Sequence, residues 1–245
     1  MKEVIAFMRN HILDETTIGT AKVVVDLIGT GKVMPGTIIR PTAICLHNTG
    51  NIGATANNNH RYMKNCNKSG ERIASWCFTV DDKYIYQACP ANWKCYHAGN
   101  SVGNNTSISI EIAMFDDAAR MKKAYLNAIE LVKILMNHYG IGISNVKQHY
   151  DYSKKNCPQW LRSAKFGYSW NWFLNELGGG AKEPASFKIK VINCDKLNAR
   201  IGPGINYAVK ESVKVNTILT IIGESGNWYK TKSGLYVSKS YCKKI

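Results

Sequence analysis

At 245 residues and 45% hydrophobic content, the chain has room for one large or two smaller domains with real cores. No apolar run approaches the roughly 18 residues that span a bilayer, and the N-terminal MKEVIAFMRNHILDETT meets acidic residues before a usable signal core. Membrane insertion is therefore not expected, and synthesis in the cytoplasm without a signal peptide is expected, with the eight cysteines as reduced thiols. The formal charge of +15 favours a polyanionic partner, whether nucleic acid, an acidic membrane face or a teichoic-acid-bearing wall, although lysines also simply confer solubility.

Residues 1–22 show no clean repeat and read as an N-terminal extension with some helix, in which His11 is structural. From Val23 to Ile28 the chain opens its core and passes through a Gly/Pro-rich loop to Thr42–Asn51, a short buried strand with His47 at its end. Residues 53–64 have helical character, with His60 and Lys64 on one solvent-facing side. Ile73–Val80 and Tyr84–Gln87 flank the polar turn Asp81-Asp82-Lys83 as a hairpin. After Tyr96-His97-Ala98-Gly99 and a turn at 103–106, Ser107–Ala113 alternates strictly, with Ile108, Ile110 and Ile112 on one side and Ser109 and Glu111 on the other. A carboxylate at mid-strand either faces solvent or has a functional reason to be buried.

From Met121 to Tyr139, apolar Leu126, Ile129, Val132, Met136 and Tyr139 recur at helical spacing, with Gly140 as the stop. His149 and Cys157 follow, eight residues apart, with Lys155 between them and Pro158 behind. Fully extended, that segment would span roughly 27 Å, so it must double back if both side chains meet one ion, and Pro158 keeps Cys157 out of helical geometry. A chemically active zinc site typically takes three protein ligands, and His47 is the best third donor. Taken singly, His47 reads as a structural histidine and Cys157 as a small buried apolar residue. The aromatics from Trp160 to Leu177 close this domain as a final helix and pack in its core rather than gripping sugar rings.

Gly178-Gly179-Gly180-Ala181-Lys182-Glu183-Pro184 reads as a linker, giving domains at 1–177 and 186–245 joined by 178–185. The first carries 20 basic against 13 acidic residues and the second 11 against 3, so the smaller part is more basic per residue. It switches to short runs rich in β-formers, Phe187–Val191, Leu197–Gly204, Thr217–Ile222, Gly226–Lys230 and Gly234–Val237, separated by glycine-rich turns. That pattern predicts a small barrel. Trp228, Tyr229, Tyr207 and Tyr236 are divided between a binding groove and its core.

The blocks ICLHNTGN, ASWCFTVDDKYIYQ, YHAGN with GNNTSISIEIA, and HYDYSKKNCP occur in the order found in the zinc-dependent N-acetylmuramoyl-L-alanine amidases of the type 2 family. The chain resembles that family, which includes phage lysins and is related to peptidoglycan-recognition proteins, over roughly residues 23–175. LNARIGPG and NWYKTKSGLYVSKSY resemble bacterial SH3-like wall-binding domains. The resemblance implies an α/β fold with a mixed central sheet flanked by helices, plus a small C-terminal all-β SH3-like barrel. It implies one Zn2+ held by His47, His149 and Cys157, a water nucleophile at neutral pH, Glu111 as proton acceptor and donor, and Lys155 beside the developing oxyanion. His97, Trp76 and Asn105, with Trp228 and Tyr229, are the expected substrate contacts. Relatives often carry His at the position of Cys77, so a fourth ligand to that zinc from this position is in doubt.

The implied partner is bacterial peptidoglycan, with anionic wall polymers as a second ligand. No recognition helix or nucleic-acid motif accompanies the charge, so no nucleic acid is expected. A recognition protein that grips wall without cutting it is the alternative, and Cys157 argues against it because non-catalytic members typically lose the metal cysteine. A wall hydrolase lacking a signal peptide fits a phage or prophage endolysin released through a hole in the membrane, or a host autolysin with unusual export. Lys, Asn and Ile usage hints at an AT-rich genome, and the wall-binding module at a Gram-positive host.

Overall fold

The computed structural model describes residues 8–178 and 187–245. The expected linker, Gly178 apart, lies outside the described residues. The chain divides into two compact units, Met1–Gly178 and Gly179–Ile245, and its eight cysteines are free thiols.

The first unit opens with short extended pieces, β1 (Met8–Arg9), β2 (Ile12–Leu13), β3 (Thr17–Ile18) and β4 (Ala21–Val25). No helix forms between residues 8 and 22, and the rest of the extension expected to hold some helix, residues 1–7, lies outside the described residues. Two-residue strands have no room for a periodic pattern, and backbone pairing holds them. His11 is structural, with Nδ1 2.8 Å from the Tyr139 hydroxyl. Next come β5 (Ala43–Ile52), α1 (Ala56–Ser69), β6 (Phe78–Val80), β7 (Tyr84–Gln87), α2 (Ser101–Thr106) and β8 (Ser107–Met114). The unit closes with α3 (Ala118–Tyr139), β9 (Val146–Gln148), α4 (His149–Ser153), α5 (Gln159–Arg162) and α6 (Trp170–Leu177).

Seven strands form one mixed sheet in the order β3-β4-β7-β6-β8-β5-β9, with β6, β8, β5 and β9 mutually parallel. Helix α1 packs on β6, β7 and β8, and α3 packs on β3, β5, β6, β8 and α6. Central strand β8 is therefore covered on both faces, and even Ser109 is fully buried, where its hydroxyl accepts the Cys77 amide at 3.0 Å. Ile108, Ile110 and Ile112 supply the apolar face, each buried isoleucine stabilising by roughly 1.5–3 kcal/mol.

The expected hairpin is present: β6 and β7 pair antiparallel from Phe78 opposite Gln87 to Val80 opposite Ile85. The expected turn at 103–106 is instead the end of α2, whose first turn is capped by Asn100 Oδ1 accepting from the amides of Val102 and Gly103. Helix α3 is capped by Asp117 and stops at left-handed Gly140 (φ 65°). Of the expected stripe, Ile129 and Val132 are buried and Met136 and Tyr139 pack against the core, and the buried face is wider than expected. Leu126 is exposed, while Met121, Ala124, Tyr125, Ala128 and Leu135 face the core together with Asn127. The Asn127 amide donates to the Asp81 carbonyl at 3.0 Å and its oxygen accepts from Thr20, so a polar residue occupies the inner face. The single closing helix expected after Cys157 is split into α5, a 3-10 turn and α6. Its aromatics pack as expected, with Trp160 and Phe173 buried and Phe166, Trp170 and Trp172 packed against the core.

His60 is not solvent-facing. It is fully buried, with Nε2 3.0 Å from Asp26, which also takes Lys64 at 2.9 Å.

The second unit holds β10 (Phe187–Val191), β11 (Lys196–Arg200), β12 (Val209–Lys214), β13 (Ile218–Ser225), β14 (Trp228–Thr231), β15 (Tyr236–Ser238) and β16 (Cys242–Lys244). They make an antiparallel sheet in the order β12-β11-β15-β14-β13-β10-β16. Its core is Ile189, Val191, Leu197, Ala199, Ile221 and Val237.

Asp81 ties hairpin and helix together. Its buried carboxylate accepts from Lys83 and Tyr84 in the turn (2.7 and 2.6 Å) and from Ala56 at the start of α1 (2.8 Å). Hydrogen bonds to a charged group are worth about 1.5–3 kcal/mol, and stranded buried amides add a desolvation cost. Asp81→Ala is expected to lower unfolding free energy by roughly 2–4 kcal/mol in urea denaturation. A loss below about 0.5 kcal/mol would mean that water replaces these bonds.

Candidate metal centre

In the parallel pairing of β5 with β8, His47 stands opposite Glu111, and Glu111 stands opposite Thr79 on β6. His47 does not end its strand. Strand β5 runs on to Ile52, with a register shift after Asn48 that places Asn48 opposite Ile112 and Ile52 opposite Met114. Two extra residues therefore sit in β5, and Thr49, Gly50 and Asn51 form part of the rim of a cleft of about 750 Å³. Bulges of this kind redirect side chains beside functional sites.

Strand β9 pairs with β5 on its other side, ending at Gln148 opposite Leu46, which delivers His149 next to His47. Helix α4 then turns the chain, left-handed Lys154 (φ 61°) ends it, and the Tyr150 amide donates to the Cys157 carbonyl at 3.0 Å. This is the doubling back that the eight-residue spacing requires. Asn48 fixes the returning segment: its backbone amide points at Cys157 Sγ (3.4 Å) and its side-chain oxygen accepts from the Trp160 amide (3.1 Å).

The result is a convergent donor set. His47 Nδ1 lies 3.0 Å from His149 Nδ1 and 3.8 Å from Cys157 Sγ. All three ligand atoms lie within 4.8 Å of one another, and all three residues are buried. Nitrogens at about 2.0 Å from one tetrahedral zinc are roughly 3.3 Å apart, and a nitrogen–sulfur pair roughly 3.6 Å, so the observed spacings fit an ion with small adjustments. The protonation chemistry fits as well. Burial holds His47 well below the usual imidazole range, and burial with the Lys155 charge holds His149 at about 4, so both rings offer lone pairs. Burial pushes the Cys157 thiol up to about 12, and only a cation among the donors would make the thiolate favourable there.

His47 Nε2 lies 3.0 Å from His97 Nδ1. A ring that ligates through Nδ1 carries its proton on Nε2 and donates it to His97. His97 is held in turn by Asn104, whose side-chain oxygen accepts from the amides of His97 and Ala98 at 3.0 and 2.8 Å. Glu111 keeps partial exposure to the cleft, yet its Oε2 is inaccessible and has no partner. Burial raises it to about 8, against the pull of Lys155 and Arg72, both of which line the cleft.

His47, His97, Glu111, His149, Lys155 and Trp76 all border the cleft, and Cys157 lies beneath it. Trp76 is mostly core, its indole N–H bonded to Thr79 at 2.7 Å. Asn105 does not border the cleft. It is exposed on α2 and bonds back to the Ser101 carbonyl, and its neighbour Asn104 takes the inward position. Trp228 and Tyr229 belong to the second unit, where Tyr229 packs edge-on against Phe187 as part of that core. Sequence reasoning passed over Asn48, Asn104, Thr49 and Arg72. The Asn directly after His47 in the LHN block was the available signal for the first.

The sequence profile described as N-acetylmuramoyl-L-alanine amidase matches residues 38–160, half of the chain. The chain belongs to this amidase family. It is 40% identical over 153 residues to the N-acetylmuramoyl-L-alanine amidase XlyA of Bacillus subtilis (strain 168), a match covering 61% of this chain and 48% of XlyA. It thus spans about half the length of that relative. The catalytic domain of XlyA superposes with a TM-score of 0.57 at 38% identity, covering 64% of this chain and all of that domain. A structure described as a mutant endolysin from Bacillus subtilis gives 0.57 at 36% identity, covering 64% of this chain and 99% of its own. The amidase match contains every residue of the donor set, with Glu111 and Lys155.

Two outcomes follow from this geometry. His149→Ala and Cys157→Ser are each expected to remove one equivalent of zinc from the amidase chain after loading and desalting, read by elemental analysis, whereas His97→Ala retains it. Unchanged zinc in both ligand variants would contradict the donor set. The second concerns pH. Because the folded value of Glu111 is raised from 4.5 to about 8, the folded state binds this proton more tightly, and stability falls as pH rises through that window. Metal-free Glu111→Gln is expected to exceed metal-free wild type in stability at pH 9 by on the order of 2–4 kcal/mol and to match it near pH 4. An equal difference at both pH values would refute the burial argument.

Proposed function

We propose that the chain hydrolyses the amide between N-acetylmuramic acid and the first L-alanine of the stem peptide in bacterial peptidoglycan. The observation that carries this reading is the convergence of His47, His149 and Cys157 beside in-register Glu111 at the base of one cleft. Membership in the amidase family and the names of its relatives support the same bond.

His47, His149 and Cys157 would hold a Zn2+ ion, which when bound supplies Lewis-acid polarisation and a water nucleophile at neutral pH. Glu111 accepts the proton of the attacking water and returns it to the alanine nitrogen as the carbon–nitrogen bond breaks. Its raised proton affinity suits both halves of that transfer. Lys155 and Arg72 place positive charge at the cleft where the carbonyl oxygen becomes an oxyanion. His97 orients His47 through the 3.0 Å contact and, with Trp76, borders the substrate.

The second unit serves as an SH3-like wall-binding domain whose basic surface meets anionic polymers. Among the described residues of that unit, exposed Tyr207 and half-buried Trp228 and Tyr236 are candidate aromatic contacts. The biological setting is lysis by a phage or prophage endolysin, acting on the wall after release from the cytoplasm. The relative described as an endolysin supports that setting.

Digestion of purified Gram-positive peptidoglycan tests the reading. New amino groups with alanine as the new N-terminus, no new reducing ends, and loss of activity on chelation are expected. Glu111→Gln is expected to lower turnover by about 10²–10⁴-fold with zinc content unchanged. Tight sedimentation with the wall but no bond cleaved after zinc is restored would leave a recognition protein instead.

A further inference from the structure

Outside the catalytic cleft, the first unit contains a second convergent donor set that the amide hydrolysis does not use. Cys77 Sγ lies 3.1 Å from Cys89 Sγ, Cys89 Sγ lies 3.7 Å from Cys95 Sγ, and the three sulfurs fall within 4.8 Å of one another. All three residues are at most 1% exposed. They come from three separate stretches of chain, each fixed by backbone bonds. Cys77 enters β6 with its carbonyl accepting from the Ala88 amide at 2.8 Å. Cys89 follows β7, its carbonyl accepting from the Gln87 side chain at 2.9 Å. Cys95 precedes Tyr96, which exchanges bonds with Ser75: Ser75 amide to Tyr96 carbonyl at 3.0 Å and Tyr96 amide to Ser75 hydroxyl at 2.9 Å.

We propose that Cys77, Cys89 and Cys95 form a second metal site, closed to solvent and taking a thiophilic ion, Zn2+ or Cu(I). Two thiolates on one tetrahedral zinc are roughly 3.8 Å apart. The Cys89–Cys95 spacing already matches, and binding opens the Cys77–Cys89 pair by about 0.7 Å. Soft thiolate sets select these ions over Mg2+ or Ca2+. A disulfide between Cys77 and Cys89 would use two of the sulfurs and leave Cys95 a lone buried thiol, whereas one ion uses all three. Binding releases the thiol protons to solvent. The site would pin the base of the β6–β7 hairpin to the stretch that carries His97, two residues beyond Cys95, and so would act as a structural clamp on one wall of the cleft.

His47 belongs to both other three-donor sets among the described residues, the catalytic one and Cys45-His47-His97, so His47→Ala isolates the triad. Full-length His47→Ala protein, prepared under anaerobic reducing conditions, is loaded in separate arms with Zn2+ and with Cu(I), desalted and analysed for metal per chain. One equivalent in either arm is expected, the arm identifying the ion, and Co2+ loading is expected to give sulfur-to-cobalt charge-transfer absorption. Adding Cys89→Ser should abolish both signals. The cobalt spectrum of His47→Ala alone keeps the test valid if that double variant fails to fold. Retention of no ion in either arm, or a chain two hydrogens lighter with Cys77 linked to Cys89 under the same conditions, would overturn the second site.

Discussion

The side-by-side placement of His47 and Glu111 on two parallel strands is the constraint on which the rest of the site depends. Strands β5 and β8 are interior strands of the sheet, each paired on both sides, so their register is fixed by the buried isoleucines around them. A slip of one residue would exchange inward and outward side chains along the whole strand. The cost of burying a histidine and a carboxylate at adjacent positions is met by location. Both sit where the sheet opens into the cleft, and the double insertion after Asn48 lets the strand bend away and leave room above them.

Around that pair the polar groups are arranged so that each fixes the next. Asn48 anchors the loop that returns Cys157, Asn104 holds the backbone of His97, and His97 meets the far nitrogen of His47. Each link is a hydrogen bond in a setting where an unmet bond is expensive. The donor atoms are therefore held by hydrogen bonds of the fold, as a precise metal site requires. The unpartnered Oε2 of Glu111 is the exception. A buried carboxylate oxygen with no donor is a cost that stability alone does not explain, and the proton-transfer role proposed for Glu111 would account for it.

Much of this was legible in the sequence where the information is local. The eight-residue spacing of His149 and Cys157, the strict alternation through Glu111, the polar turn at Asp81 and the stop at Gly140 each rest on neighbours a few residues apart, and the structure contains all four. The misreadings share a different cause. His60 depends on Asp26, 34 residues away, so no local pattern marks it as buried. In the stripe of α3 only Leu126 was misassigned: it faces out, while Asn127 turns inward to bond Asp81 and Thr20. Asn104 and Asn105 are equivalent as residues, and only the phase of the short helix α2 separates them. Strand β12 escaped notice because its exposed edge is lysine-rich and carries no apolar alternation. The three-cysteine cluster is assembled by the β6–β7 hairpin together with the loop that bonds Tyr96 to Ser75.

The central claim is that one ion is shared by His47 Nδ1, His149 Nδ1 and Cys157 Sγ, with Glu111 alongside. The most direct measurement is an anomalous-difference map at the zinc edge from crystals of the zinc-loaded full chain. A peak at about 2.0 Å from the two Nδ1 atoms and about 2.3 Å from the sulfur, with Glu111 facing it across the cleft, is the predicted result. No peak among these three atoms, or ligation of His47 through Nε2 toward His97, would contradict the account.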